Sequence, residues 1–474
     1  MTATRFIPAA AVLAGLALAG GIAATIKPAP LVPAALTVRQ VPLSRVVRAC
    51  PPGSNQAGDR IAVYSASSLP SEHGAAVITS LPRTAAATQV TTPGALALVT
   101  APGTTAPGTT VPGTTGHRQL VQQAWSVAAD GSMAPGLAAE LADPNGQARV
   151  SCAAPGSDLW FVGPGEQNGI SQIRVHLMNL DVLTATVELS VITDAGSVQS
   201  AAYSGITVPP HQLVTQTLSA ATANASVVAI EVRTTTGRVA AIVSEGARSG
   251  PATWLPSSTA PATSDVIPGV PPTGSTAGLL LVVPGNQNAR VSLAAITSQG
   301  RYQPLGSQQI DLPGVSASFV QLPAFGGGAV GLELTSNVPV TASVLVPGTG
   351  AGTFTVPVQP VTEQAVIAGN VDGGGLTATL SLTAPGAQAR VTVTAGTQTQ
   401  TVTIPAGHTV NIPVGTRSRK PFAVTITPLP GSGPVYAARY ETQGQNTTSI
   451  IPALSALSTI TLPPARDTYA AINP

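Results

Sequence analysis

Lysine is almost absent from this chain: in 474 residues only Lys27 and Lys420 occur, and neither has a serine three positions earlier, so a Ser-x-x-Lys nucleophile is excluded. Charge of either sign is scarce, at 8% of residues, and the net charge of +2 is scattered, with Arg417, Arg419 and Lys420 the one tight basic group. Nucleic-acid binding needs a clustered basic face that displaces counterions from many phosphates, so no partner of that class is expected. Aromatic residues amount to 3%, with three Trp, six Tyr and six Phe, too few to furnish the ring platforms of an extended carbohydrate groove. The two cysteines lack a nearby histidine pair, and His73, His117, His176, His211 and His408 lie far apart, so no tetrahedral metal set is formed. A His-Glu-x-x-His pair, a phosphate-binding glycine loop with its lysine and a Gly-x-Ser-x-Gly elbow are all missing. No catalytic residue and no cofactor is assigned, and the chain is read as a non-enzyme.

What fills the chain instead is Ala, Val, Thr, Gly and Pro, with 48 Gly and 44 Pro. Val and Thr suit a pleated surface, whereas Gly and Pro punctuate turns and break helices. The composition predicts an all-β protein of many short strands.

The N-terminus carries the one long apolar run, Phe6 to Ile26, about 21 residues between Arg5 and Lys27 and long enough to span a bilayer as a helix. Ala17-Leu18-Ala19 also offers a small-x-small cleavage site. Either reading implies export. Because Gly20 to Ile26 continues apolar past that site, an uncleaved anchor is expected, with the N-terminus in the cytoplasm and residues 28–474 outside. Export makes thiol oxidation the default, so Cys50 and Cys152 are expected to form a disulfide.

Organisation follows from composition shifts. Residues 1–27 are the signal or anchor, and 28–157 form a β-rich N-terminal region interrupted at 101–116 by a Pro-Gly-Thr-Thr unit repeated three times, which has nothing to bury and reads as a linker. Beyond it the chain repeats coarsely. Leu159 to Asn168, a strand running into Pro-Gly and then Gln-Asn, is echoed by Leu280 to Asn288 and more weakly by Leu380 to Ala389. Period-two alternation marks strands with one buried face: Val187, Leu189 and Val191 inward against Glu188 and Ser190; Val228, Ile230 and Val232 against Ala229 and Glu231; Val330, Leu332 and Leu334 against Gly331 and Glu333; Phe422, Val424 and Ile426 against Ala423 and Thr425. Six or seven strands in each unit of about 80 to 110 residues fit tandem immunoglobulin-like or fibronectin-like β-sandwiches, at 158–264, 265–360 and 361–474 with the C-terminal tail. The alternative is a propeller of about seven or eight blades.

Asp158 and Trp160 are the candidate ligand contacts, a carboxylate beside an aromatic ring, with Asp194 a further carboxylate to inspect. Trp125-x-x-Ala128-Ala129-Asp130-Gly131-Ser132-Met133-Ala134-Pro135-Gly136-Leu137, followed by Cys152-x-x-Pro155-x-Ser157-Asp158-Leu159-Trp160-Phe161-x-Gly163, resembles an uncharacterised family of actinobacterial secreted proteins. The resemblance implies an envelope setting and carries no catalytic residue. The expectation is a non-catalytic cell-envelope protein, secreted or membrane-anchored, that scaffolds or binds other envelope proteins. The alternative is a protein that binds or acts on cell-wall polysaccharide.

Overall fold

Period-two alternation does build the strands. In Ala185–Thr193, Val187, Leu189 and Val191 are buried while Glu188 and Ser190 are half-buried, and in Phe422–Pro428 the residues Phe422, Val424 and Ile426 enter one apolar core. A computed structural model describes residues 39–53, 58–66, 73–83, 86–101, 123–143, 148–218, 222–247, 253–272, 277–348, 352–370, 376–415, 421–444 and 446–462. The N-terminal apolar run and nearly all of the 101–116 repeat lie outside the described residues. Among the described residues, the only helices are three single 3-10 turns, and none is long and apolar enough to cross a membrane.

Within the sandwiches described below the strand pairings are antiparallel, and one topology occurs four times. In the first copy one sheet orders Arg45–Cys50, Ala124–Asp130, Ala76–Leu81 and Thr88–Val90, the first, sixth, third and fourth strands; the other orders Ala97–Thr100, Arg60–Tyr64, Ala138–Ala142 and Arg149–Ser151, the fifth, second, seventh and eighth. Side chains of both sheets share one buried cluster around Ile61, Ile78, Trp125 and Leu141. The same order recurs from Asp158–Pro164 to Thr253–Leu255, from Ala262–Val270 to Thr353–Thr355, and from Ala365–Asn370 to Asn446–Pro452, the second and third copies each adding one short edge strand, Ile206–Val208 and Ile310–Leu312, that is left out of the strand numbers. In the third copy the 17-residue strand Val330–Val346 serves as both sixth and seventh strand, passing from one sheet to the other. The molecule is therefore all-β and made of sandwiches, and its sheets pair as facing layers instead of propeller blades.

The family-like motif around Trp125 is explained by the first of these cores. Trp125 and Met133 are buried, and Asp130 closes the strand end by accepting the Ala75 amide at 2.9 Å. Gly131 follows at φ 49°, where a Cβ would lie 2.3 Å from the His73 carbonyl oxygen, so only glycine fits that turn.

The chain divides into two compact units, whose described parts are residues 39–41 with 460–462, and residues 42–459. The strands Arg39–Pro42 and Thr459–Leu462 pair with each other. Within the large unit each sandwich packs on the next. Met178, Ala240 and Ile242 of the second enter the cluster of the first; Val162, Val227 and Ala229 of the second meet Leu280, Val282 and Ala317 of the third; Ala438, Tyr440 and Ile450 of the fourth enter the cluster of the third. The fourth returns to the first through a set of buried charges.

Candidate functional site

The circuit closes where Ala138–Ala142 and Arg149–Ser151 of the first sandwich meet Ala365–Asn370 and Tyr436–Gln443 of the fourth. Arg439 Nη2 contacts Glu140 Oε1 at 3.1 Å, and Arg149 Nε contacts Glu441 Oε2 at 3.1 Å, with all four side chains no more than 2% exposed. Longer charge contacts, Arg149 to Glu140 at 3.5 Å and Arg439 to Glu441 at 3.6 Å, complete a balanced square. Main chain and amide groups finish it: the Gly369 amide donates to Glu140 Oε2 at 3.2 Å, Arg149 donates to the Gly369 carbonyl, and Arg439 Nη1 donates to Asn370 Oδ1 at 2.8 Å and to the Gly369 carbonyl at 3.1 Å. Burial alone would lower the Arg439 pKa, but Glu140 and Glu441 more than offset it, so the guanidinium is held charged. Glu441 is satisfied by charge more than by alignment, since neither of its oxygens makes a hydrogen bond of good geometry. The contact between Glu140 and Arg439 joins positions 299 apart in sequence.

A corresponding junction lies between the second and third sandwiches, and its chemistry is different. Glu245 and Glu441 occupy the same place in the topology, on a seventh strand and in register with a hydroxyl residue of the eighth, Thr253 and Ser449 respectively. Gly163 faces Glu245 from the first strand, as Gly369 faces Glu140; a Cβ on Gly163 would sit 2.2 Å from Glu245 Oε1. Here the neighbouring sandwich contributes Phe354 to the second's buried apolar cluster, with Leu345 packed against it. Where Arg439 precedes Glu441 by two residues, Val243 precedes Glu245. Glu245 is 0% exposed and neither carboxyl oxygen has a hydrogen-bond partner. Burial raises its pKa well above the ordinary carboxyl range.

All four sandwiches contribute their eighth strands to one cavity of about 260 Å³. Its wall includes Val150 from the first, Trp254 from the second, Phe354 from the third and Ile450 from the fourth. Ser449 and Thr353 are also among the lining residues.

Cys50 and Cys152 are bonded, at a Cα separation of 4.3 Å and 102 residues apart. The bond ties the first strand of the first sandwich to the segment leaving its eighth, and Cys152 itself reaches the cavity wall. Asp158 and Trp160 do not form an open ligand site. Asp158 is exposed opposite Arg233, but Trp160 is only 6% exposed, and its indole nitrogen is buried without a partner. Trp160 shares its face of the strand with Val162, which packs against the third sandwich, so the ring offers no platform to a sugar. Asp194 is exposed and accepts the Ser226 amide at 2.9 Å, a turn contact.

Of the histidines, His176 is placed most deeply. Its ring lies 2.8 Å from Ser244 Oγ and 3.1 Å from Thr215 Oγ1, and burial, with Arg174 nearby, lowers its pKa to about 4. Such a ring is neutral at pH 7 and bridges three strands of one sheet; with that pKa it is a weak base, and the pair with Ser244 is a satisfied polar contact within packed sheets.

Sequence reasoning passed over Glu140, Arg149, Arg439, Glu441 and Glu245. Their signal was a glutamate inside a short apolar run, Ala-Ala-Glu-Leu-Ala at 138–142 and Val-Ser-Glu-Gly at 243–246, which reads equally well as an outward-facing charge on a half-exposed strand.

A family model matches residues 114–415, which span the end of the first sandwich, all of the second and third, and most of the fourth. The chain belongs to DUF5719, a family of unknown function. No curated protein matches it.

Proposed function

We propose that this DUF5719 member is the non-catalytic body of an exported actinobacterial cell-envelope protein, held at the membrane by its N-terminal apolar segment and serving as a scaffold or binding surface for other envelope proteins. The observation that supports this reading is the closure of the circuit. Four sandwiches joined only by short linkers could swing independently, yet the fourth is fastened to the first by buried charges that leave no partner unmet in sign. Separating these sandwiches would expose or strand four charges in a poorly solvated seam, which is strongly unfavourable. A frame that holds its modules at fixed spacing suits the display of surfaces to partners, and the Cys50–Cys152 bond suits an oxidising compartment.

The test uses the full chain, tagged at its C-terminus, in the cells that produce it. Protease added to intact cells is expected to remove the tag, the membrane fraction is expected to retain the N-terminal segment, and crosslinking is expected to join the protein repeatedly to the same envelope proteins. Recovery from the cytosol with two free thiols contradicts export. A protein at the surface that crosslinks to no other envelope component contradicts the scaffold role.

A further inference from the structure

One edge of the fourth sandwich is built differently from its counterparts. In every copy the fourth strand is the outermost of its sheet, so one side of its backbone has no neighbour there. In the first sandwich that strand is only three residues long, Thr88–Val90. In the second and third it starts as Gly196–Val198 and Gly300–Tyr302, leaves the ladder, and rejoins the same third strand as Ile206–Val208 and Ile310–Leu312. In the fourth the corresponding stretch runs unbroken for seven residues, Gln398–Ile404, paired along its whole length with Ala389–Ala395. Short strands, interruptions, charges and proline are the devices by which sheet edges avoid pairing with other chains. Gln398–Ile404, reading Gln-Thr-Gln-Thr-Val-Thr-Ile, carries none of them.

The register shows which groups that edge presents. Ala395 and Gln398 pair across the two-residue turn Gly396-Thr397, and a turn so short closes on a pair that exchanges both backbone hydrogen bonds. Bonded and non-bonded pairs alternate along an antiparallel ladder. Gln398, Gln400, Val402 and Ile404 therefore bond inward, and Thr399, Thr401 and Thr403 turn their N–H and C=O groups outward. Among the described residues, no backbone group pairs with these three. Val402 and Ile404 enter the core, which places the three threonine side chains on the outer face of the sheet, opposite Thr394, Thr392 and Arg390 of the neighbouring strand.

We propose that Gln398–Ile404 pairs with the same strand of a second copy of this chain, antiparallel about a two-fold axis at Thr401, so that two fourth sandwiches share one continuous sheet. The strand is its own complement in that register. Thr401 meets Thr401 and Thr399 meets Thr403, and the outward backbone groups of the two copies supply about six hydrogen bonds. Facing threonines stabilise an antiparallel pair. The strand has no charge for an acidic or basic peptide to recognise, whereas an uncharged copy of itself meets it without an unpaired ion. A two-fold contact of this kind uses up the edge and closes the assembly at two chains. One strand pair is a small interface, so the dimer is reversible and depends on concentration. The pairing needs no envelope partner and no export, so it and the scaffold reading can fail separately.

Sedimentation velocity on the full chain in density-matched detergent, over a concentration series, tests it. The wild-type protein is expected to pass from monomer to dimer and no further. Thr401→Pro removes an outward N–H that the sandwich itself does not use, and is expected to weaken the dimer at least about tenfold while the cooperative melt is retained. Thr401→Lys and Thr401→Glu each set like charges face to face across the two-fold axis, and each alone is expected to stay monomeric. An equimolar mixture of the two is expected to recover a dimer containing one chain of each. The proposal is overturned by a wild-type protein that stays monomeric across the series, by a dimer that persists in the variants and is thus held elsewhere, or by a mixture that fails to pair. Should Thr401→Pro fail to fold, the two charged variants and their mixture decide.

Discussion

Two junctions in this protein share a topology and solve the same burial problem in opposite ways. Where the fourth sandwich meets the first, Glu441 is met by Arg439 on its own strand and by Arg149 from the neighbour, and the neighbour's Glu140 balances the second arginine. Where the second meets the third, Val243 stands in the place of Arg439, the neighbour's Phe354 enters the second's buried cluster with Leu345 packed against it, and burial raises the Glu245 pKa well above the ordinary range. A buried carboxylate persists as an ion only if cations are buried with it; otherwise it neutralises. The difference also separates roles. The charged junction joins the two ends of the circuit, which no short linker holds together, and charge pairing admits few alternative registers. The apolar junction joins sandwiches adjacent in sequence, where apolar contact is enough.

The comparison is broken most severely by Arg439→Met. It strands Glu140 and Glu441 in a seam that water does not reach, and a denaturant midpoint is expected to register a loss of about 3–5 kcal/mol. Replacing all four charged residues together with apolar ones of similar volume, in imitation of the other junction, is expected to cost less than Arg439→Met alone, because no charge is left unpaired. A larger loss would show that the square stabilises the fold beyond balancing itself.

At the apolar junction, Gly163→Ala is expected to destabilise by about 1–3 kcal/mol, measured the same way, because its Cβ would fall 2.2 Å from Glu245 Oε1 and 2.6 Å from Leu255 Cδ1. Combined with Glu245→Ala it is expected to cost less, since the obstructing carboxyl is gone.

Glu245→Gln sharpens the comparison through pH. A carboxyl whose pKa is raised on folding binds its proton more tightly in the folded state, so the native protein loses stability relative to the unfolded chain as pH rises above the unfolded value of about 4.3. Wild type and Glu245→Gln are therefore expected to melt alike near pH 4 and to diverge as pH rises toward 8, with the variant the more stable. An equal gap at both pH values would show that folding leaves the Glu245 pKa unshifted. The smallest effect is expected at the surface, where Arg290 and Asp311 pair at 3.4 Å with both side chains more than 60% exposed. Arg290→Ala is expected to change stability by less than about 0.5 kcal/mol in the same denaturant assay.

What the sequence made legible follows from which faces bear a contrast. Val187, Leu189 and Val191 alternate with Glu188 and Ser190, so their core face is plain. The reverse faces were not legible. Ala229 and Ala423, read as outward, are both buried, Ala229 against the third sandwich, and an alanine or threonine in a strand suits water and an interface equally. Trp160 was misread for the same reason, because nothing near it announces that the outer face of its strand is covered. Topology was only partly legible, since Val330–Val346 runs through two sheets, and Pro339 at the crossing marks a bend without telling which sheet follows. The charge square joins positions 299 apart, and no local pattern brings such residues together.

The central claim is that identical topology leaves one junction ionised and the other neutral, and infrared spectroscopy of the carboxyl groups tests it most directly. At pH 8 Asp265, raised by burial to about 6, has lost its proton, so Glu245 is expected to supply a protonated carboxyl band that disappears in Glu245→Gln and persists in Arg439→Met. Absence of that band from the wild-type protein at pH 8, or its survival in Glu245→Gln, would contradict the account.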